Sequence, residues 1–134
     1  MTSPSFLYIE NHVASRKVMR LLLVDMLDYS DLTLWENTEQ VIEKLEQLET
    51  PFDIIFLDLD LEPLNGYEVC RQLREHASYQ QTSIVAVTAT TKPGDLRQME
   101  NVGFNGALSK PLNLNAFPDQ LQRILAGDEL WDMR

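Results

Sequence analysis

Short apolar segments recur along the chain, and four of them run directly into a polar residue. Residues 6–9 precede Glu10, residues 54–57 precede Asp58, residues 84–87 precede Thr88, and residues 107–109 precede Lys110. The first three segments are continuously apolar, which is typical of parallel strands covered by helices on both faces. A fifth segment, Leu32–Trp35, alternates between apolar and polar positions and predicts an edge strand.

Helical periodicity fills the gaps between the predicted strands. Apolar residues three or four positions apart predict helices in three of these gaps. They are Met19, Leu22, Leu23, Met26 and Leu27, then Val41, Ile42, Leu45 and Leu48, and finally Leu114, Phe117, Leu121, Ile124 and Leu125. We expect Asn65 to cap a further helix and Asp95 to cap another that ends at Gly103. Pro118 is tolerated only in a first turn, so the last helix should begin near Asn115.

The alternation of strands and helices predicts a parallel sheet with right-handed crossovers. The expected fold is α/β and flavodoxin-like, with a doubly wound five-stranded sheet in the order 2-1-3-4-5 and helices on both faces. At 134 residues the chain has the length of one domain. We expect one domain over residues 1–134, with a core over about residues 6–126 and a tail, residues 127–134, outside the pattern. Ligands bind such sheets beyond the carboxyl ends of the strands, where the four polar strand-end residues should meet.

Composition and charge argue against several classes of function. Apolar residues make up 44% of the chain and charged residues 24%, the balance of a folded globular protein. The net charge of −10 opposes direct binding to nucleic acid. The apolar segments are shorter than the ~20 residues of a membrane span, and the N-terminus lacks the pattern of a signal peptide, so we expect a cytoplasmic protein. Cys70 is the single cysteine, lies in an amphipathic stretch, and is expected to be buried without a redox or metal role.

Carboxylates are concentrated at the predicted mouth of the sheet. Glu10, Asp58 and Asp60 lie there, with Glu62 close behind. Each pair of like charges at ~4 Å costs about 4 kcal/mol at an effective dielectric constant of ~20, so a divalent cation would relieve their repulsion. Oxygen ligands with few protein contacts suit Mg²⁺. A carboxylate on that metal can attack a phosphoryl group and form an aspartyl phosphate.

Two further strand-end residues match the needs of such a phosphoryl group. Its oxygens require a hydroxyl donor and a fixed cation on the side away from the metal. Thr88 and Lys110 supply these two groups from the ends of the fourth and fifth strands. One site would then hold the metal, the nucleophile and the groups that bind the phosphoryl oxygens.

In order and spacing, these residues resemble the receiver domains of response regulators over about residues 6–125. The resemblance rests on five motifs, which are Glu10-Asn11, Asp58, Gly66, Thr88-Ala89 and Lys110-Pro111. It implies a CheY-like domain in which Asp58 accepts a phosphoryl group from a histidine kinase or phosphotransfer protein in the presence of Mg²⁺. It assigns Thr88 and Lys110 to the phosphoryl group, and assigns Glu10, Asn11, Asp58 and the backbone carbonyl of Asp60 to the metal. It also implies a cis Lys110–Pro111 bond.

The chain departs from the family pattern at three positions. Asn11 replaces the second acid of the family's acidic pair, which should weaken metal binding. Pro63 stands one position later than the family's usual proline, with Glu62 in its place. Ala107, three residues before Lys110, replaces the aromatic residue that many receivers use to report phosphorylation.

Alternatives follow from these departures and from the motifs themselves. A receiver that cannot be phosphorylated would act as a constitutive interaction module. Residues 56–60 also resemble the nucleophile motif of haloacid-dehalogenase-like phosphatases, although the residues expected after Asp60 are missing, and a flavin site would lack its phosphate loop.

A phosphoacceptor is not a turnover enzyme, and its signal would leave through contacts with a downstream protein. The sequence is compatible with a homodimer, favours a solvated loop position for His12, and leaves open whether Trp131 packs on the domain or contacts a partner.

Overall fold

A computed structural model describes residues 3–89, 92 and 94–132, and its organising feature is one parallel sheet. Six strands form the sheet in the order β2-β1-β3-β4-β5-β6. The strands are β1 (Phe6–Ile9), β2 (Leu32–Trp35), β3 (Ile54–Leu57), β4 (Ser83–Thr88), β5 (Gly106–Ser109) and β6 (Leu130–Asp132). Five α-helices connect them, namely α1 (Val13–Arg20), α2 (Val41–Glu46), α3 (Gly66–Glu75), α4 (Asp95–Val102) and α5 (Phe117–Leu125). The flavodoxin-like arrangement predicted from the apolar pattern is therefore confirmed in outline.

The continuous apolar character of the inner strands has a direct structural cause. Side chains of a strand alternate between the two faces of the sheet, and both faces are covered here. One core layer contains Leu7, Ile9, Ile55 and Leu57 with residues from α2, α3 and α4. The other contains Phe6, Tyr8, Ile54 and Phe56 with residues from α1 and α5. All eight of these strand residues are buried, so neither face of β1 or β3 can accept a polar side chain.

The helix boundaries follow their capping residues. Asn65 caps α3 as predicted, because its side-chain oxygen accepts a 2.9 Å hydrogen bond from the backbone N–H of Glu68. Gly103 ends α4 as predicted, with a φ of 112° that favours glycine. The prediction that Asp95 caps α4 was wrong, since Gly94 occupies the cap position and Asp95 is the first helical residue.

Three further boundaries differ from the periodic pattern. The last helix begins at Phe117 rather than Asn115, because the Asn113 side chain holds the backbone N–H groups of Asn115 and Ala116 in a turn. Pro118 lies in the first turn, as predicted. The first helical stripe continues beyond α1 as a π-helical segment, Leu21–Met26. Helix α2 ends at Glu46, two residues before Leu48.

The prediction of five strands was wrong by one, because residues assigned to the tail form β6. This strand pairs in parallel with β5, and Gly106 lies opposite Leu130. A Cβ atom at position 106 would lie 2.2 Å from the carbonyl oxygen of Leu130, so glycine is required for the pairing. A glycine inside a strand often marks such a close approach of backbones, which is the signal that could have revealed β6. Trp131 packs against the core layer that contains Ala107, which answers the question left open for this tryptophan.

Two other expectations concern burial. Cys70 is buried as predicted, and its thiol contacts the carbonyl oxygen of Val102 at 3.6 Å. Burial raises the pKa of this thiol to about 12, so it stays protonated at neutral pH. Within the described ranges, every helix is too short or too polar to cross a membrane.

Candidate functional site

The strand register brings the polar strand-end residues to one edge of the sheet. Glu10 and Asp58 directly follow the paired strands β1 and β3, and the N–H of Asp58 donates a 3.1 Å hydrogen bond to the carbonyl of Ile9. Thr88 is the last residue of β4, and its carbonyl accepts a 2.9 Å hydrogen bond from the N–H of Lys110. Glu10, Asp58 and Thr88 are all buried. The four residues predicted from the sequence therefore converge.

Lys110 makes the shortest charged contact in this group. Its Nζ atom lies 2.6 Å from Glu10 Oε1 and 3.6 Å from Asp58 Oδ2. The remaining oxygen of the glutamate, Oε2, and Asp58 Oδ2 are shielded from solvent and accept no hydrogen bond from residues in the described part of the chain. Two buried carboxylates thus share one ammonium group, and a formal excess of negative charge remains.

The pKa values of the two carboxyl groups are shifted in opposite directions. Burial raises the pKa of Asp58 to about 6, and the adjacent Glu10 carboxylate adds to the shift. Burial also disfavours ionisation of Glu10, but its contacts with Asp58 and Lys110 outweigh that effect and lower its pKa. Glu10 is therefore the stable anion of the pair, and Asp58 is the group that takes up a proton as the pH falls.

The donor set fits a divalent cation. One ligand atom from each of Glu10, His12 and Asp58 lies within 4.8 Å of the other two. Unpartnered, buried carboxylate oxygens are the ligands that hard cations prefer. Of the four predicted metal ligands, Glu10 and Asp58 are thus brought together. Asn11 is exposed and directly follows Glu10.

The backbone of Asp60 lies beside Asp58. Its N–H donates a long, 3.4 Å hydrogen bond to Asp58 Oδ1. Burial, then the charge of Asp95, and finally that of Asp60 raise the pKa of Tyr67. The Asp60 side chain is exposed, and so is Glu62, two residues further along the loop.

The loop after Asp58 is held in two places. Gly66 begins α3 against this loop, and a Cβ atom there would lie 2.4 Å from the carbonyl oxygen of Asp58. The buried Thr38 holds the loop at Leu64. Its hydroxyl accepts a 2.7 Å hydrogen bond from the N–H of Leu64 and donates a 2.8 Å hydrogen bond to the carbonyl of the same residue. Sequence reasoning missed Thr38, because a threonine between a strand and a helix carries no signal of such a contact.

Two proline bonds near the site are cis. The Lys110–Pro111 bond is cis, as the resemblance implied. The Glu62–Pro63 bond is also cis, at the position where the chain departs from the family pattern. The carbonyl of Glu62 accepts a 3.0 Å hydrogen bond from the N–H of Thr38, so the altered loop remains attached to the loop between β2 and α2.

Comparison with known proteins identifies relatives across most of the chain. "Stress response regulator protein 1" of Candida tropicalis is 25% identical over 84% of this chain. "Signal transduction histidine-protein kinase BarA" of Escherichia coli K12 is 27% identical over 89% of this chain. The chain spans only 42% and 12% of the length of these two proteins.

Solved structures give the same result. The receiver domain of the sensor histidine kinase PA1611 of Pseudomonas aeruginosa, with a magnesium ion coordinated in its active site cleft, is 26% identical. It superposes with a TM-score of 0.79 over 93% of this chain and 99% of that one. Chemotaxis response regulator CheY4 of Vibrio cholerae, at 24% identity, shares the fold with a TM-score of 0.80 over 92% of this chain and 99% of its own.

The family model of the response regulator receiver domain matches residues 6–122, which include every strand-end residue of the site. Because this match extends over most of the chain and agrees with the strand order and the relatives, the chain belongs to the response regulator receiver domain family.

Proposed function

We propose that Asp58 accepts a phosphoryl group in a Mg²⁺-dependent reaction and that the chain thereby acts in two-component signalling. The observation that carries the proposal is the pair of buried carboxylates, Glu10 and Asp58, each with one oxygen that accepts no hydrogen bond from the described residues, and the Lys110 ammonium beside them. Burial of two such groups is costly for folding alone. It is explained by a site that binds a cation and a phosphoryl group.

The residues of this chain would divide the reaction between them. Ionised Asp58 attacks phosphorus through a carboxylate oxygen, and the bond from phosphorus to the leaving group of the donor breaks. Glu10 and Asp58 would hold Mg²⁺ together with Asn11 and the backbone carbonyl of Asp60, and such an ion would supply positive charge to the phosphoryl oxygens. Because the pKa of Asp58 is about 6, this nucleophile is ionised at neutral pH.

Lys110 and Thr88 would bind the transferred group. Lys110 Nζ lies 3.6 Å from Asp58 Oδ2, so a phosphoryl group on that carboxylate would come within reach of the ammonium. Thr88 ends the strand next to Asp58 and would donate its hydroxyl to another phosphoryl oxygen. Charge-assisted hydrogen bonds of this kind are about twice as strong as neutral ones.

The partners follow from the same chemistry. A histidine kinase or a phosphotransfer protein would supply the phosphoryl group, and the modified chain would act through contacts with a downstream protein rather than as a turnover enzyme. Those contacts would involve α4, α5 and the sheet edge between them, which β6 now forms. We propose one domain over the chain, no direct binding to nucleic acid, and a cytoplasmic location.

Intact-mass spectrometry after treatment with phosphoramidate and Mg²⁺ tests the proposal. We expect one phosphoryl group on the wild-type chain, none on the Asp58→Asn variant, and normal modification of the Asp60→Asn control, whose backbone carbonyl is retained. Full modification of Asp58→Asn would exclude Asp58 as the acceptor. No modification of a folded wild-type chain by any donor would instead support the interaction module that the neutral Asn11 suggests.

A further inference from the structure

The loop between β1 and α1 carries a nitrogen donor at the edge of the carboxylate pair. We propose that His12 is a metal ligand and that this site binds imidazole-preferring divalent ions, such as Zn²⁺ and Co²⁺, more tightly than Mg²⁺. The inference rests on the proposed function, because Glu10 and Asp58 serve both. It adds a residue that sequence reasoning assigned to a solvated loop.

The backbone of the loop between β1 and α1 fixes the position of His12. The residue precedes α1 in an extended conformation, with φ −93° and ψ 122°. The guanidinium group of Arg16 donates a 2.6 Å hydrogen bond to the carbonyl of Glu10, and the N–H of the same residue donates a 3.2 Å bond to the carbonyl of His12. The turn that carries the imidazole is therefore attached to the first turn of α1 at two points.

The imidazole lies close to the carboxylates without being hydrogen-bonded to them. His12 Nδ1 is 3.8 Å from Glu10 Oε1, which exceeds the length of a hydrogen bond. Its ligand atom nonetheless lies within 4.8 Å of the ligand atoms of Glu10 and Asp58. Separate ligands that face a common point have this spacing.

The carboxylate oxygens that such an ion needs accept no hydrogen bond from Lys110. The ammonium group bonds Glu10 through Oε1, whereas Oε2 of the same residue and Asp58 Oδ2 are buried and accept no hydrogen bond within the described residues, although Asp58 Oδ2 lies 3.6 Å from the ammonium. An ion could therefore bind without breaking the Lys110–Glu10 pair. Because the imidazole is 67% exposed, water can complete the coordination on the outer side.

The composition of this donor set decides which ions it prefers. Two carboxylates and one imidazole nitrogen suit borderline transition ions, whereas Mg²⁺ favours oxygen ligands alone. The neutral Asn11 side chain adds no charge that would favour Mg²⁺. Nitrogen and oxygen sites bind divalent ions in the order Mn²⁺ < Fe²⁺ < Co²⁺ < Ni²⁺ < Cu²⁺ > Zn²⁺. Zn²⁺ and Co²⁺ should therefore bind more tightly here than Mg²⁺.

Isothermal titration calorimetry with each metal chloride alone tests the inference. The wild-type chain should bind Zn²⁺ and Co²⁺ more tightly than Mg²⁺. His12→Ala should weaken binding of both transition ions about tenfold or more, since even indirect partners of a metal site contribute this much. Its Mg²⁺ affinity should stay within about twofold, because Mg²⁺ gains little from nitrogen ligands. The matched control is His76→Ala, which removes the other histidine, a residue that lies 3.5 Å from Glu46 on a different part of the surface.

Several outcomes decide the matter. Absorption of the Co²⁺ complex that disappears in His12→Ala and persists in His76→Ala would support the inference. Equal Zn²⁺ affinities for the wild-type chain and His12→Ala would overturn it, as would a loss in His76→Ala alone. Phosphorylation of Asp58 with Mg²⁺ in the same samples separates the two proposals. If modification is normal while His12→Ala changes no metal affinity, only this inference fails; if modification also fails, the proposed function fails with it.

Discussion

Lys110 Nζ lies 1 Å nearer to Glu10 Oε1, at 2.6 Å, than to Asp58 Oδ2, at 3.6 Å. The lysine that the family resemblance assigns to the phosphoryl group is therefore paired mainly with the carboxylate at the end of β1. Both acids are buried, so this single cation offsets part of the cost of their desolvation. The stability of the chain should depend on it.

Replacing Lys110 by methionine should destabilise the fold. The change keeps an apolar stem of similar length but leaves two buried carboxylates without a cation, which costs about 3–5 kcal/mol when one partner of a buried pair is removed. Urea unfolding at pH 7.5 measures the loss. In a Glu10→Gln background the same replacement should cost much less, because one buried charge is already gone. An equal loss in both backgrounds would show that the ion pair does not stabilise the fold.

The raised pKa of Asp58 predicts a pH dependence of stability with a defined sign. Its ordinary value is 3.8 and its value in the folded chain is about 6, so between these values the folded state holds a proton that the unfolded state releases. The stabilisation that this proton gives the folded chain is fully present below pH 3.8 and is lost as the pH rises through 6. The loss is on the order of 3 kcal/mol. Glu10, whose pKa is lowered, contributes to the pH dependence only below its ordinary value of 4.5, so the change in stability above pH 4.5 reports Asp58.

Asp58→Asn tests this sign without metal present. The variant should be more stable than the wild-type chain at pH 7.5, and the difference should fall by about half at pH 5, where Asp58 is protonated in the folded chain but still ionised in the unfolded chain. Asp60→Asn is the control, because its side chain is exposed and should show no such pH-dependent gain. A constant difference between pH 5 and 7.5 would mean that Asp58 does not titrate in this range.

The order of the first five strands and the converging residues at their ends could be predicted from the sequence, because both depend on local patterns. Buried parallel strands require continuous apolar runs, and Glu10, Asp58, Thr88 and Lys110 each follow or end one. Contacts between distant segments could not be predicted in this way. Thr38 forms hydrogen bonds with Leu64 in the loop before α3, and the sequence pattern around Thr38 does not predict this contact.

The partners of individual side chains within the site could not be predicted from the sequence either. The choice of Glu10 over Asp58 as the main partner of Lys110 depends on a difference of 1 Å between two contacts, since the two distances are 2.6 and 3.6 Å. The approach of His12 to the carboxylates depends on the turn before α1. Patterns of residue type indicate which groups share an edge of the sheet, but these contacts are set by packing.

The sixth strand yields a prediction about Gly106. Gly106→Ala should displace β6, since the added Cβ atom would lie 2.2 Å from the carbonyl oxygen of Leu130. Loss of the buried Leu130 and of the Trp131 contacts should lower the free energy of unfolding by about 2–5 kcal/mol. Intrinsic fluorescence should show Trp131 becoming exposed. In a chain that ends at Gly127 the same substitution has nothing to displace and should cost less than about 1 kcal/mol, so equal costs in the two chains would contradict the role of Gly106.

The last prediction concerns the route by which phosphorylation of Asp58 would alter the surface. Ala107 is fully buried, and its backbone lies between Ala86 of β4 and Trp131 of β6. A methyl group has no rotamer to change, and β5 is hydrogen-bonded along both edges. We therefore expect any change to pass through the loops after β3 and β4, over residues 58–66 and 89–94; residues 90, 91 and 93 lie outside the described part of the chain.

Hydrogen exchange with and without beryllofluoride and Mg²⁺ measures this route. Amides of residues 106–109 should remain protected in both states, because opening them requires breaking ladders on both sides of β5. Protection should increase in the two loops, where backbone groups would order around the bound mimic. The chain that ends at Gly127 is the control, since removal of β6 frees one edge of β5 and should raise exchange at residues 106–109 in both states. Large changes centred on residues 106–109 of the intact chain would contradict this route, because they would require β5 itself to move despite its two bonded neighbours.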